Sequence, residues 1–281
     1  MDRAARTWLF VPGADQAAQA AAARSGADVL IQELEDFTPP ELRASARSLA
    51  AGLYERWRKA GALAAVRVNP LETCGREDLA AVLAGKPDFV LMSKVEAPEQ
   101  VRALAEAAPG FDLVPNVESA RGLLRLQEIA RASPRVVALL VASEDMVADL
   151  GTSRSRGGEE LAYVRQRFLV ECRAAGVEAI DAPYTFSDVK GAVADAKWAR
   201  RMGYRMKSLV DAAHAGPLNK VLTPDLARAA RIVAAFEKAR AQGRERASVG
   251  GALIEVPIYA AAKRTLASAG RTPPRTRKRR G

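Results

Sequence analysis

Carboxylates and cations recur at the carboxyl ends of short apolar runs along this chain. Glu33, Glu35 and Asp36 close the run 28–34, Arg67 and Asn69 the run 64–69, and Ser93 and Lys94 the run 89–94. Asn116, Glu118 and Ser119 close 112–118, and Ser143, Glu144 and Asp145 follow 136–142. Asp181 lies in 178–183, and Lys207 and Asp211 in 205–211. One polar run end needs no explanation. Charges of both signs at nearly every run end do, because an unpaired buried charge is costly. They must neutralise one another or hold a metal ion. The set is rich in oxygen donors, and Glu118 and Asp145 fall on consecutive runs. That suits Mg²⁺, or Mn²⁺ in its place, which takes one or two carboxylates and completes its shell with water and substrate oxygens. The competing reading is a buried ion-pair network built on Arg67 and Lys94.

Other chemistries are poorly supplied. The chain has one histidine, His214, and two cysteines, Cys74 and Cys172. A Ser-His-Asp triad or a zinc site with several imidazoles is hard to assemble from a single imidazole. Two cysteines make no disulfide framework, which fits a reducing, cytoplasmic setting. Acid–base work falls to carboxylates, Lys, Arg or metal-bound water.

The elements that would position these groups follow from periodicity. Eight apolar runs, at 8–12, 28–34, 64–69, 89–94, 112–118, 136–142, 178–183 and 205–211, read as strands. Between them lie Ala/Leu/Arg/Glu stretches of helical composition at 16–25, 40–59, 97–108, 122–132, 159–175 and 187–202. Gly26, Gly61, Gly176 and Gly203 follow such stretches, as glycine does at helix C-termini. Strand–helix alternation means a parallel sheet. Eight units in about 210 residues predict an α/β fold of the (β/α)8 TIM-barrel type, with a doubly wound sheet as the alternative. In such a barrel the carboxyl ends of the strands form the active face. Residues 1–224 are assigned to the barrel. Residues 225–270 form an extra C-terminal helical segment: a helix at 225–242, a Gly-rich break at 249–252 and a last helix at 258–269. This segment could cover the barrel or a neighbouring subunit.

With 281 residues, 49% hydrophobic and 27% charged, the chain is of globular composition. It has no apolar run of the ~18 residues that a membrane-spanning helix needs, and its N-terminus lacks a signal-peptide h-region. The net charge of +10 points at first to nucleic acid. Residues 271–281, however, hold six basic residues and no acid, so the rest of the chain is only +4. The excess belongs to a Pro-flanked tail of disordered composition, which argues against a nucleic-acid-binding body.

Seven blocks follow in order: L-F-V-P-G (9–13), L-E-D (34–36), R-V-N-P (67–70), K-V-E (94–96), V-E-S-A-R-G (117–122), S-E-D-M-V-A-D-L-G (143–151) and A-I-D-A-P-Y (179–184). Together they resemble the citrate lyase beta-subunit-like branch of the HpcH/HpaI aldolase family, over about residues 6–260. The resemblance implies a Mg²⁺-binding (β/α)8 barrel, a homotrimer or hexamer, that cleaves or forms a carbon–carbon bond in malyl-, citramalyl- or citryl-CoA. By motif it implies Glu118 and Asp145 as metal ligands. Arg67 becomes the cation that binds substrate and stabilises enolate charge, and Glu35 and Asp36 line the metal's water shell. The family's I-D-x-P segment, whose Asp is an acid–base group reaching a neighbouring subunit, corresponds here to L-I-E-V-P (253–257) and assigns the role to Glu255. Lys94 and Lys207 are expected to bind substrate. Arg154 and Arg156, in the loop S-R-S-R-G-G (153–158), are expected to meet a polyphosphorylated CoA, with main-chain N–H groups helping.

The chain also departs from the pattern. Glu33 replaces the first Asp of D-L-E-D, Ala14-Asp15-Gln16-Ala17 follows V-P-G where basic residues are usual, and Lys207–His214 lacks the H-P-x-Q core. Two further readings therefore stand beside the acyl-CoA lyase: a metal-dependent aldolase acting on a free 2-keto-4-hydroxy acid, and a non-catalytic barrel subunit.

Overall fold

A computed structural model describes residues 5–269. These residues fall into two compact units, Ala5–Leu222 and a second beginning at Thr223. The expected basic tail at 271–281 lies outside the described residues.

In the first unit eight strands close a parallel barrel in sequence order: β1 (Thr7–Pro12), β2 (Val29–Glu33), β3 (Leu63–Val68), β4 (Phe89–Met92), β5 (Asp112–Val117), β6 (Ala138–Val141), β7 (Glu178–Asp181) and β8 (Met206–Leu209). The ring shuts where Trp8 of β1 pairs with Ser208 of β8. The doubly wound alternative is thereby excluded. Helices α1 (Gln16–Ala23), α2 (Arg43–Lys59), α3 (Gly75–Val82), α4 (Pro98–Ala107), α5 (Ala120–Leu124), α6 (Leu126–Arg131), α7 (Glu144–Asp149), α8 (Ala162–Ala175), α9 (Val189–Met202) and α10 (Ala215–Leu222) lie in the connections between strands and after β8.

Side chains alternate across each strand, so the barrel has two separate cores. Phe10, Ile31, Ala65, Leu91, Val114, Leu140 and Ile180 fill the lumen. Leu9, Leu30, Val66, Val90, Leu113, Leu139 and Leu209 face the helices. Period two then carries the lumen face upward from Ile31 to Glu33, from Ala65 to Arg67 and from Val114 through Asn116 to Glu118. The polar groups at the top of the lumen are continuations of its apolar layers.

Two glycines bring backbone close beneath this face. A Cβ on Gly13 would stand 2.4 Å from the Glu33 carbonyl oxygen, and one on Gly122 would stand 2.7 Å from the Val95 carbonyl oxygen. Any side chain there would push apart the loops that carry Glu33 and Lys94.

The second unit packs α11 (Leu226–Ala241) and α12 (Val256–Ala269) around Ile232, Phe236, Ile254 and Ala262. The Gly-rich break expected at 249–252 is the turn of an antiparallel hairpin, β9 (Ala247–Val249) with β10 (Ala252–Ile254). Gly250 and Gly251 sit at φ +59° and +80°, the left-handed pair that a two-residue hairpin turn requires. Among the described residues no helix is long and apolar enough to cross a membrane.

Candidate active site at the barrel mouth

Arg67 is the centre of the mouth. Its side chain is almost wholly buried, and its guanidinium lies over the Phe10 ring at 4.8 Å. Its Nε and Nη2 each stand 3.0 Å from Glu33 Oε1. Nη2 is also 3.3 Å from Glu35 and 3.6 Å from Asp36, while Nη1 is 3.6 Å from Glu118. Burial works against the guanidinium charge, but Glu33, Glu118, Glu35 and Asp36 outweigh it and raise the Arg67 pKa further. Strands β2 and β3 set the closest of these contacts, because Glu33 and Arg67 are register partners on adjacent strands.

Glu33 is therefore the main counter-charge of Arg67. Its Oε1 accepts from the Glu35 N–H and its Oε2 from the Phe37 N–H, both at 2.6 Å, so it also pins the loop that carries Glu35 and Asp36. Sequence alone placed Glu33 among the acids at a strand end and as a departure from a motif, without naming its partner. The signal that finds it is parity: two residues beyond Ile31, it must share the lumen with Arg67.

Lys94 follows β4 and lies 2.6 Å from Glu35 and 3.8 Å from Asp36. Its backbone takes φ +54°, and its main-chain N–H donates to Glu118 Oε2 at 3.2 Å. Asn116 Nδ2 donates to the other Glu118 oxygen at 3.3 Å. Burial pushes the Glu118 carboxyl up to about 8, with Arg67 opposing and Glu35 and Asp145 adding to the rise. Glu35 is raised for the same first reason, against Arg67 and Lys94. Asp145, in the first turn of α7, acts electrostatically on both Glu118 and Lys94.

This donor set fits a divalent cation. Glu33, Glu35, Asp36, Glu118 and Asp145 surround two cations, Arg67 and Lys94, which leaves an excess of negative charge. Neither Glu35 oxygen has an aligned hydrogen-bond partner. Among the described residues no three Asp, Glu, His or Cys side chains converge as a closed metal cage. An ion here would rest on Glu118 and Asp145 and take its remaining ligands from water and substrate, as Mg²⁺ commonly does.

Other expected residues lie elsewhere. Lys207, expected to bind substrate, does not join the mouth cluster. It is fully buried on the helix-facing side of β8, where its Nζ contacts Asp181 at 2.7 Å, Asp195 at 2.6 Å and the Ala182 carbonyl oxygen. Arg165 of α8 completes that network, 2.6 Å from Asp181 and 2.7 Å from Asp195. Burial works against the Asp195 carboxylate, yet Lys207 and Arg165 outweigh it and hold its pKa down to about 2. Asn69 ties the loop after β3 to Asp78 and to the Leu34 carbonyl oxygen, both at 2.8 Å, and does not join the cluster. His214 is buried, with Nε2 3.3 Å from the Ser187 carbonyl oxygen.

Both loop arginines are paired with acids. Arg154 is 2.5 Å from Glu160 and 3.3 Å from Glu144. Arg156 pairs with Asp188 and stacks 4.8 Å over Phe186 while remaining exposed. Phe186 lines a cavity of about 400 Å³, together with Phe10, Pro12, Ala18, Val210 and Asp211. The cavity thus shares Phe10 with the Arg67 cluster. In the second unit, Glu255 follows β10 and pairs with Arg246 at 3.1 Å.

Residues 6–212 match the sequence profile described as HpcH/HpaI aldolase/citrate lyase. A (3S)-malyl-CoA thioesterase of Cereibacter sphaeroides is 33% identical over 270 residues, 94% of each chain. The citrate lyase subunit beta of Leuconostoc mesenteroides is 29% identical, over 94% of this chain and 93% of the relative. The crystal structure of protein CitE from Mycobacterium tuberculosis, in complex with magnesium, acetoacetate and coenzyme A, superposes with a TM-score of 0.78. It is 29% identical and covers 96% of this chain and 100% of that one.

Proposed function

The chain belongs to the HpcH/HpaI aldolase/citrate lyase family, and we propose that it is a Mg²⁺-dependent carbon–carbon lyase. Its substrate is a 3-hydroxy acyl-CoA of the malyl-, citramalyl- or citryl-CoA type, cleaved or formed. The observation that carries this reading is the buried Arg67 guanidinium, fixed over Phe10 beside Glu118 at the end of the barrel where such enzymes react.

Glu118 and Asp145 would hold Mg²⁺, which when bound supplies a Lewis acid that acidifies the substrate hydroxyl. In the cleavage direction the hydroxyl gives up its proton to Glu255 acting as the base, and its carbon becomes a carbonyl group. The electron pair of the broken carbon–carbon bond passes to the carbon beside the thioester, and an enolate results. Arg67 meets that charge as a preorganised donor. Glu33 holds its Nε and Nη2, so little reorganisation is needed, and a donor of this kind is worth roughly 10²–10³ in kcat. Lys94 binds the substrate's acidic end, and Glu35 and Asp36 order the water around the ion. Glu255, carried by the second unit of a neighbouring subunit in a homotrimer or hexamer, returns a proton to the enolate carbon. Arg156, exposed over Phe186 at the cavity, receives the phosphates of CoA, with Arg154 steadying the loop. Two free cysteines are compatible with operation in the cytoplasm.

Calorimetric titration of CoA and acetyl-CoA into the Mg²⁺-loaded protein, with and without glyoxylate or pyruvate, tests the reading. Saturable CoA binding that tightens with the keto acid is the expected result. Keto-acid binding with no response to CoA would replace it with the free 2-keto-4-hydroxy acid aldolase. Hydrolysis of the thioester at the same site is a second reading, favoured by the malyl-CoA thioesterase relative. It predicts release of free CoA from malyl-CoA without glyoxylate.

A further inference from the structure

Asn116 belongs to the lumen-facing series Val114, Asn116, Glu118 and is completely buried. An amide in this layer spends its donor on one target, Glu118 Oε1, at 3.3 Å. Its Oδ1 is buried with no partner among the described residues. From the adjacent connection the Lys94 main-chain N–H reaches Glu118 Oε2 at 3.2 Å. Lys94 does so at φ +54°, a left-handed conformation that a lysine holds only against a steric cost. Each oxygen of one carboxylate therefore has its own neutral donor, while Arg67 Nη1 stands back at 3.6 Å.

We propose that Asn116 is a positioning residue: with the left-handed Lys94 backbone it forms a two-donor cradle that fixes the plane of the Glu118 carboxylate for a divalent cation. The inference rests on the reading of Glu118 as a metal ligand given above. Its physical basis is that a carboxylate free to rotate loses affinity for an ion needing a set geometry, and that hydrogen bonds to ligating carboxylates typically carry 10–100-fold in metal affinity. The buried, unpartnered Oδ1 supplies the independent sign. An amide kept for packing alone would be replaceable by leucine, its apolar isostere, with no loss and with the orphan acceptor removed.

The test is titration of Mn²⁺ into the full chain, read from the free-ion electron paramagnetic resonance signal, together with thermal unfolding of the metal-free protein. The wild type, Asn116→Leu and Asn116→Ala are compared. The expected result is saturable wild-type binding, affinity weakened roughly 10–100-fold in both variants, and an unfolding temperature for Asn116→Leu no lower than wild type. Should leucine be too bulky to fold, alanine gives the same reading of affinity. A folded variant that binds Mn²⁺ as tightly as wild type overturns the cradle and leaves the metal site standing. A wild type that binds no Mn²⁺ overturns the metal reading and the cradle with it.

Discussion

Burial and Arg67 pull the Glu118 carboxyl in opposite directions, and burial prevails, with a pKa of about 8. In the metal-free fold the group therefore keeps its proton at pH values where the unfolded chain, at the ordinary glutamate value of 4.5, has lost it. The unfolded state then binds fewer protons than the folded one. The Glu118 contribution to stability is full below about pH 4.5 and falls as the pH rises towards about 8. A divalent cation has to displace the same proton, so its affinity has the opposite trend. Mn²⁺ affinity is expected to rise by up to about tenfold per pH unit between pH 6 and 8 and to level off above that. Glu118→Gln should remove both the slope and most of the binding. A flat wild-type profile across that range would count against Glu118 as a ligand.

At the scale of elements, the two inward-projecting and outward-projecting faces of the strands do different work. The β7–β8 network of Asp181, Lys207, Arg165 and Asp195 clamps α8 and α9 to the barrel wall. Lys207→Met leaves two carboxylates buried beside a single guanidinium, and removing one partner from a buried network costs about 3–5 kcal/mol. Urea unfolding should show that loss while Mn²⁺ affinity at the mouth stays at the wild-type value. A stable variant with impaired substrate binding would instead restore the substrate role first expected of Lys207. The network also carries a pH signature of its own. Asp195 ionises at about 2 in the fold against an ordinary aspartate value of 3.8, so its stabilisation is present above about pH 4 and is lost as the pH falls through 2.

At the scale of the whole molecule, the proposal that Glu255 acts from a second copy of the chain makes a prediction of its own. Glu118→Ala and Glu255→Ala should each abolish turnover as pure proteins. Refolded together, the two variants should regain activity, because some sites then combine an intact Glu118 with an intact Glu255. No recovery in mixed oligomers would confine Glu255 to a structural role with Arg246. The sequence by itself determined the strand–helix alternation, and closure of β8 on β1 decided for a barrel over a doubly wound sheet. Eight short apolar runs separated by helical stretches admit few other topologies, and period two carries Arg67 and Glu118 from the apolar lumen layers to its mouth. The hairpin at Gly250–Gly251 was hidden because a glycine pair reads equally well as a break or a turn. Helices α3, α7 and α10 were hidden because each is short and lacks the alanine run that marks the equally short α1. Tertiary structure alone decided between the two strand cations. In M-K-S-L (206–209) both faces of the strand are buried, so alternation names no inward side. Only closure of β8 on β1, with α8 and α9 supplying Arg165 and Asp195, sends Lys207 outward and leaves Arg67 at the mouth.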